Sequence, residues 1–183
     1  MTDEQIRQVL FRLNGRNQTD AFEVAKLIWE DSDARLERPL IRTLKKGRRA
    51  FNRAAAAYAM QMMTTPRTIA ALERTVKNKS EYPRVRGEAA EALAHAHRKK
   101  SHDVLLTGLG DPSKEVRFWC AYALGEMAEK RAVPALKFLA ASDKRIVKGF
   151  HSVGKEATDA IECIEIENTA HRRKNGCLFC VRG

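Results

Sequence analysis

Val116-Arg117-Phe118-Trp119-Cys120-Ala121-Tyr122-Ala123-Leu124 has two earlier counterparts in the same chain. They are Asn52-Arg53-Ala54-Ala55-Ala56-Ala57-Tyr58-Ala59-Met60 and Val85-Arg86-Gly87-Glu88-Ala89-Ala90-Glu91-Ala92-Leu93. The arginines at 53, 86 and 117 are offset by 33 and then 31 residues. A period of this size marks a stack of similar helical units. In each copy a small residue stands four places after the first position, and Ala-Met or Ala-Leu follows at seven and eight. That spacing occupies one face of a helix, and small side chains there let neighbouring helices approach closely. Ala89, Ala92, Cys120 and Ala123 are therefore expected to be buried between such helices.

A partner helix precedes each copy. Its apolar positions are Leu36, Leu40, Ile41 and Leu44, then Ile69, Leu72 and Val76, then Val104, Leu105 and Leu109, then Val133, Leu136 and Leu139. Breakers separate the helices: Lys46-Gly47, Tyr82-Pro83 and Gly110-Asp111-Pro112 within pairs, and Thr65-Pro66 between pairs. A last pair ends on Val153-Gly154-Lys155-Glu156-Ala157-Thr158-Asp159-Ala160-Ile161, at an offset of 37 from Val116. About six extra residues around Ile146 to His151 must bulge from its turn. A first pair, Glu4–Leu13 with Ala21–Glu30, keeps helical periodicity but little of the motif, as a capping repeat should. The fold expected is all-α, an α-solenoid of about five antiparallel helix pairs over residues 1–170, followed by a basic tail, 171–183.

Leu109-Gly110-Asp111-Pro112-Ser113-Lys114-Glu115-Val116-Arg117, running on to Ala121-Tyr122-Ala123-Leu124-Gly125, resembles a HEAT repeat. It is most similar to the phycobilisome-lyase HEAT-like subclass, and Ala132-Val133-Pro134-Ala135-Leu136 resembles the start of that family's first helix. The resemblance is strong over 101–142, good over 36–100 and weak at the ends. It implies that Arg53, Arg86 and Arg117 form a ladder bonded to aspartate near the turns, here Asp111. It also implies that the second helix of each pair lines a concave face.

The chain holds 34 Lys and Arg against 23 Asp and Glu, a net charge of +11. Such an excess attracts nucleic acid, anionic membranes or acidic proteins. No apolar run approaches the ~18 residues of a membrane helix. Met1-Thr2-Asp3-Glu4 lacks a secretory pattern, so a cytoplasmic protein without membrane attachment is expected. Four cysteines in a chain of this length do not make a disulfide framework.

Aligning the second helices places Tyr58, Glu91 and Tyr122 in one row and Ala55, Glu88 and Trp119 in another, with Glu126 a turn further on. Trp119 and Tyr122 are candidate anchors for a protein partner, since aromatics concentrate at binding hot spots. Trp119, beside Phe118, is equally a core-filling residue. Basic residues gather at the turns within pairs: Lys45, Lys46, Arg48, Arg49, Arg84 and Lys114, with Lys77, Lys79, Lys144, Arg145, Lys148 and Lys155. They form either a solvated edge or a ridge that takes phosphates or an acidic protein.

His171, Cys177 and Cys180 supply three zinc ligands where structural zinc needs four, and only Cys163 stands near enough in sequence to complete the set. No metal and no cofactor are expected. The sequence has no G-x-S-x-G, Walker loop, H-E-x-x-H or G-x-G-x-x-G. HEAT-like deoxyhypusine hydroxylases hold iron with repeated His-Glu pairs, and this chain has no His-Glu dipeptide. Trp119, Tyr122 and Glu126 loosely evoke the HEAT-like alkylpurine DNA glycosylases. The reading is a non-catalytic scaffold or adaptor that binds a protein partner on its concave face. A nucleic-acid-binding protein using the basic ridge, and a bilin-lyase-like chaperone, stand as alternatives.

Overall fold

Helix starts and stops follow local capping chemistry. In the computed structural model, which describes residues 1–95 and 101–170 with side chains to 167, Thr2 and Gln5 form a capping box at α1 (Asp3–Leu13). Asn17 accepts from the first amides of α2 (Gln18–Asp31), which ends at Ser32 in the left-handed conformation, φ 53°. Then come α3 (Glu37–Lys46), α4 (Ala50–Ala59), α5 (Pro66–Lys77) and α6 (Pro83–His95). Thr65 caps α5, and Pro66 fills its first turn, where no amide donor is needed. The chain finishes with α7 (His102–Gly108), α8 (Lys114–Glu126), α9 (Val133–Ser142) and α10 (Val153–Ala170). Ten α-helices and no named strand occur among the described residues, as the repeat pattern requires.

The even-numbered helices stack α2–α4–α6–α8–α10, and each packs on its odd-numbered partner. The second-helix layer is continuous, because it is built from small residues. Ala54 to Ala57, Ala89, Ala92, Cys120, Ala123 and Ala160 are buried, which agrees with the register read from the repeat. Glycine sets the closest approaches. A Cβ on Gly125 would lie 2.8 Å from Ala160 Cα, and one on Gly87 would lie 2.6 Å from Trp119 Cδ1. The first-helix layer is looser: α3–α5 and α5–α7 touch, but α7 and α9 leave a groove of about 610 Å³ walled by Leu106, Leu109 and Phe138. A stack that is tighter on one side curves toward it, so the second helices form the concave face.

The arginine ladder ties each pair to the next. Arg53 donates to both carboxylate oxygens of Glu81 at 2.7 Å and to the Gly47 carbonyl at 2.8 Å. Arg86 reaches Asp111 at 2.5 Å, and Arg117 donates through Nε to Asp143 at 2.8 Å and also to the Asp111 carbonyl. Every acid sits in the turn of the following pair, which the sequence had recognised only at Asp111. Asn52, beside Arg53, reaches the other way, donating to the Leu13 and Gly15 carbonyls of the first pair at 2.6 and 3.2 Å. The opposite edge has its own ties: Glu37 with Thr65 and Thr68, Glu73 with Ser101, and His102 with Glu129. Burial opposes ionisation of Asp111, but hydrogen bonds from Arg86 and Lys79 outweigh it and hold its carboxyl below the usual range.

Candidate binding cleft on the second-helix face

The extra residues between α9 and α10 form a small loop closed by an isolated bridge between Ile146 and Ser152. Val147 N donates to the His151 carbonyl at 3.1 Å, and Gly149 turns the chain with φ +84°, a conformation that favours glycine. The loop folds onto the concave face. Val147 is buried, and the Phe150 ring lies 5.3 Å from Phe118 and 5.2 Å from Trp119, centroid to centroid.

This loop closes one side of a cleft of about 630 Å³. Phe22 of α2, Tyr58 of α4, Glu88 and Glu91 of α6, Trp119 of α8 and Phe150 line it. The aromatic contacts are edge-on: Phe22 to Tyr58 at 6.3 Å, Phe118 to Trp119 at 5.2 Å, and Trp119 to Tyr122 at 5.7 Å. Trp119 is 9% exposed, so it combines both readings open in the sequence, filling the core above Gly87 while its edge reaches the cleft.

Four expected concave-face residues, Tyr58, Glu88, Glu91 and Trp119, meet in the cleft. Tyr122 is half-buried behind Trp119, and Glu126 stands a turn beyond, outside the lining. Of the expected ridge, Lys45, Lys46 and Arg48 are exposed at the α3–α4 turn, with Arg49 half-buried beside them and Lys114 half-buried at the start of α8. Arg84 leaves the ridge for a physical reason. One helical turn before Glu88, it pairs with that carboxylate at 3.7 Å and stacks its guanidinium 4.6 Å from the Phe22 centroid. Lys79, Arg145 and Lys155 are paired with Asp111, Asp143 and Asp159. The ridge is thus interrupted by pairing within the chain at Lys79, Arg84, Arg145 and Lys155, and stays unbroken at the α3–α4 turn.

Phe22 and Phe150 were missed as cleft residues. Phe22 belongs to the capping repeat, whose motif is weak. Phe150 had a usable signal, as a large apolar residue inside a polar insertion, Lys148-Gly149-Phe150-His151.

Burial pushes the Glu88 carboxyl up to about 7, against the opposing pull of Arg84. Burial also raises the Tyr58 hydroxyl, with Glu91 and Glu88 adding to it. The folded protein therefore holds a proton on Glu88 between its ordinary 4.5 and about 7. Folding stability contributed by that proton is complete below the lower value and declines as pH rises through the window. Glu88→Gln is expected to match the parent near pH 4.5 and to unfold at a higher temperature near pH 8, by a margin that grows with pH. Thermal unfolding across that range checks it.

Cys120 is fully buried, and burial pushes its thiol up to about 12, so it acts as a packing residue. No group of three potential metal ligands occurs among the described residues. His171, Cys177 and Cys180, with the rest of 171–183, lie outside them, while Cys163 is half-buried in α10. No described helix is long and apolar enough to cross a membrane.

Residues 76–149, which include the motif copies at 85–93 and 116–124 and the first part of the cleft loop, match the family described as HEAT repeats. That segment resembles HEAT repeats, in keeping with the all-α solenoid. The solenoid is similar to the complex of CpcE and CpcF of phycocyanin lyase from Nostoc sp. PCC7120, with a TM-score of 0.60 at 23% identity over 74% of this chain and 55% of that one. Deoxyhypusine hydroxylase-B of Oryza sativa subsp. japonica is 39% identical over 77 residues, 42% of this chain and 26% of that enzyme. The chain thus spans about a quarter of the hydroxylase and about half of the lyase chain it matches. The all-α solenoid read from its sequence agrees with the fold of the structural neighbour.

Proposed function

We propose that this HEAT-repeat scaffold holds a segment of a protein partner in the concave cleft, without catalysing a reaction. The observation that carries the reading is the junction of aromatic side chains from three repeats and the α9–α10 loop with the carboxylates Glu88 and Glu91. Rigid aromatic faces supply contact area at little entropic cost, and half-buried carboxylates select a cationic or hydrogen-bond-donating side chain. The position already taken by Arg84, over Phe22 and against Glu88, indicates the kind of group that such a site accepts. The related fold in phycocyanin lyase is found in a complex of two proteins, which favours association over independent action. Acidic side chains here also disfavour a phosphate backbone in the cleft.

The test is a binding measurement with a partner purified from native lysate in the presence of nuclease. Tyr58→Ala with Glu91→Gln is expected to weaken the complex by at least tenfold, since central aromatic anchors commonly carry ~2 kcal/mol. The helical circular dichroism should be unchanged. An unaltered affinity would remove the cleft as the docking site.

A further inference from the structure

Where the unpaired positive charge lies is informative. Arg38, Arg42, Lys45 and Lys46 on α3, Arg48 and Arg49 in its turn, and Arg67, Arg74 and Lys77 on α5 form no ion pair among the described residues. Eight of these nine side chains are exposed, Arg49 being half-buried. Between Arg38 and Lys77 the sequence carries one acid, Glu73, and that one accepts from Ser101.

The placement follows helical periodicity. On α3 the buried positions are Leu40, Thr43 and Leu44, and Arg38, Arg42 and Lys45 occupy the opposite face at intervals of four and three residues. On α5, Arg67, Arg74 and Lys77 stand opposite Thr68, Ile69, Leu72 and Val76. The two helices are neighbours in the outer layer, and Lys45 and Arg74 line one groove of about 380 Å³ between them. The two stripes merge into one continuous basic surface on the convex side, away from the acidic cleft.

We propose that this convex α3–α5 face binds the phosphate backbone of duplex nucleic acid, independently of the partner in the concave cleft. Six of the nine cations are arginines, whose planar fork matches phosphate oxygens. None of the large exposed apolar side chains lies on α3 or α5. A protein partner would need an apolar or aromatic centre on this face, and single strands would need aromatic side chains for stacking. A surface of cations without either positions phosphates and reads no sequence.

The experiment is fluorescence anisotropy with a labelled random-sequence DNA duplex of about 20 base pairs, titrated with protein at several salt concentrations. The expected result is binding whose log K falls against log salt with a slope of about −3.6 or steeper, at about −0.9 for each of four or more phosphates. The variant Arg38→Gln, Arg42→Gln, Arg67→Gln, Arg74→Gln should lose at least tenfold in affinity with a shallower slope. A control of equal charge change, Arg16→Gln, Lys26→Gln, Lys130→Gln, Lys137→Gln, should stay within about threefold of the parent. All substituted side chains are exposed, and unchanged unfolding midpoints will confirm both folds. Equal loss in both variants, no binding at low salt, or tighter binding to polyglutamate or to phosphatidylserine vesicles than to the duplex would overturn the proposal.

Discussion

Arg117→Met is expected to destabilise the protein by about 3–5 kcal/mol, because it removes the buried donor shared by the Asp143 carboxylate and the Asp111 carbonyl and leaves Asp143 only the exposed Arg145. The Asp143 side chain is 2% exposed, and the Asp111 carbonyl would lose its guanidinium donor as well. For a chain of this length the midpoint of thermal unfolding should fall on the order of 10 °C. Arg145 also touches Asp143, but its own side chain is 61% exposed, so Arg145→Met should cost less than ~1 kcal/mol. The pH dependence has a defined sign. Burial opposes ionisation of Asp143, and hydrogen bonds from Arg145 and Arg117 outweigh it, so the folded carboxyl titrates below its ordinary 3.8. The stability it contributes is complete above that value and is lost as pH falls through the lower folded one. Parent and Arg117→Met should therefore converge in strong acid, and urea unfolding at several pH values measures this.

Trp119→Ala should cost about 3–5 kcal/mol through the cavity left between Gly87, Phe118, Tyr122 and Phe150. Removing the indole also takes away one of the two rings on which Phe150 rests, so the 146–152 loop should open. Faster proteolysis at Lys148, alongside the lowered unfolding midpoint, is the readout. Parent-like stability would mean that the ring does not occupy the slot over Gly87. This burial changes how binding must be dissected. Loss of a partner in Trp119→Ala mixes docking with folding, whereas half-buried Tyr58 reports on docking alone.

The architecture was legible because solenoid stacking is local. Each second helix needs small residues at the same register, and Ala56, Ala89 and Cys120 announce that register without any knowledge of distant partners. The ladder's arginines were visible for the same reason. Two of their partners were not: Glu81 and Asp143 lie 28 and 26 residues further on, and only the stacked geometry says which turn faces which guanidinium. The charge of the turns misled in a related way. Counting basic residues shows a ridge, but pairing within the fold silences Lys79, Arg145 and Lys155 and draws Arg84 into the cleft. Among the cations left unpaired, those on α3, its turn and α5 share one surface that the turn-by-turn count had divided. The cleft itself depends on an insertion folding back over the concave face. Its length was readable from the broken period, but the landing of Phe150 on Trp119 was not.

Site-specific photo-crosslinking tests whether the concave cleft holds the partner. A photoreactive residue replaces Tyr58 in the concave cleft or, as a control, Lys137 on the exposed side of α9. With nuclease-treated native lysate, the account predicts one dominant protein adduct from position 58, diminished by Glu91→Gln and absent from position 137. Equal adducts from both positions, or an adduct at position 58 that Glu91→Gln leaves unchanged, would contradict it.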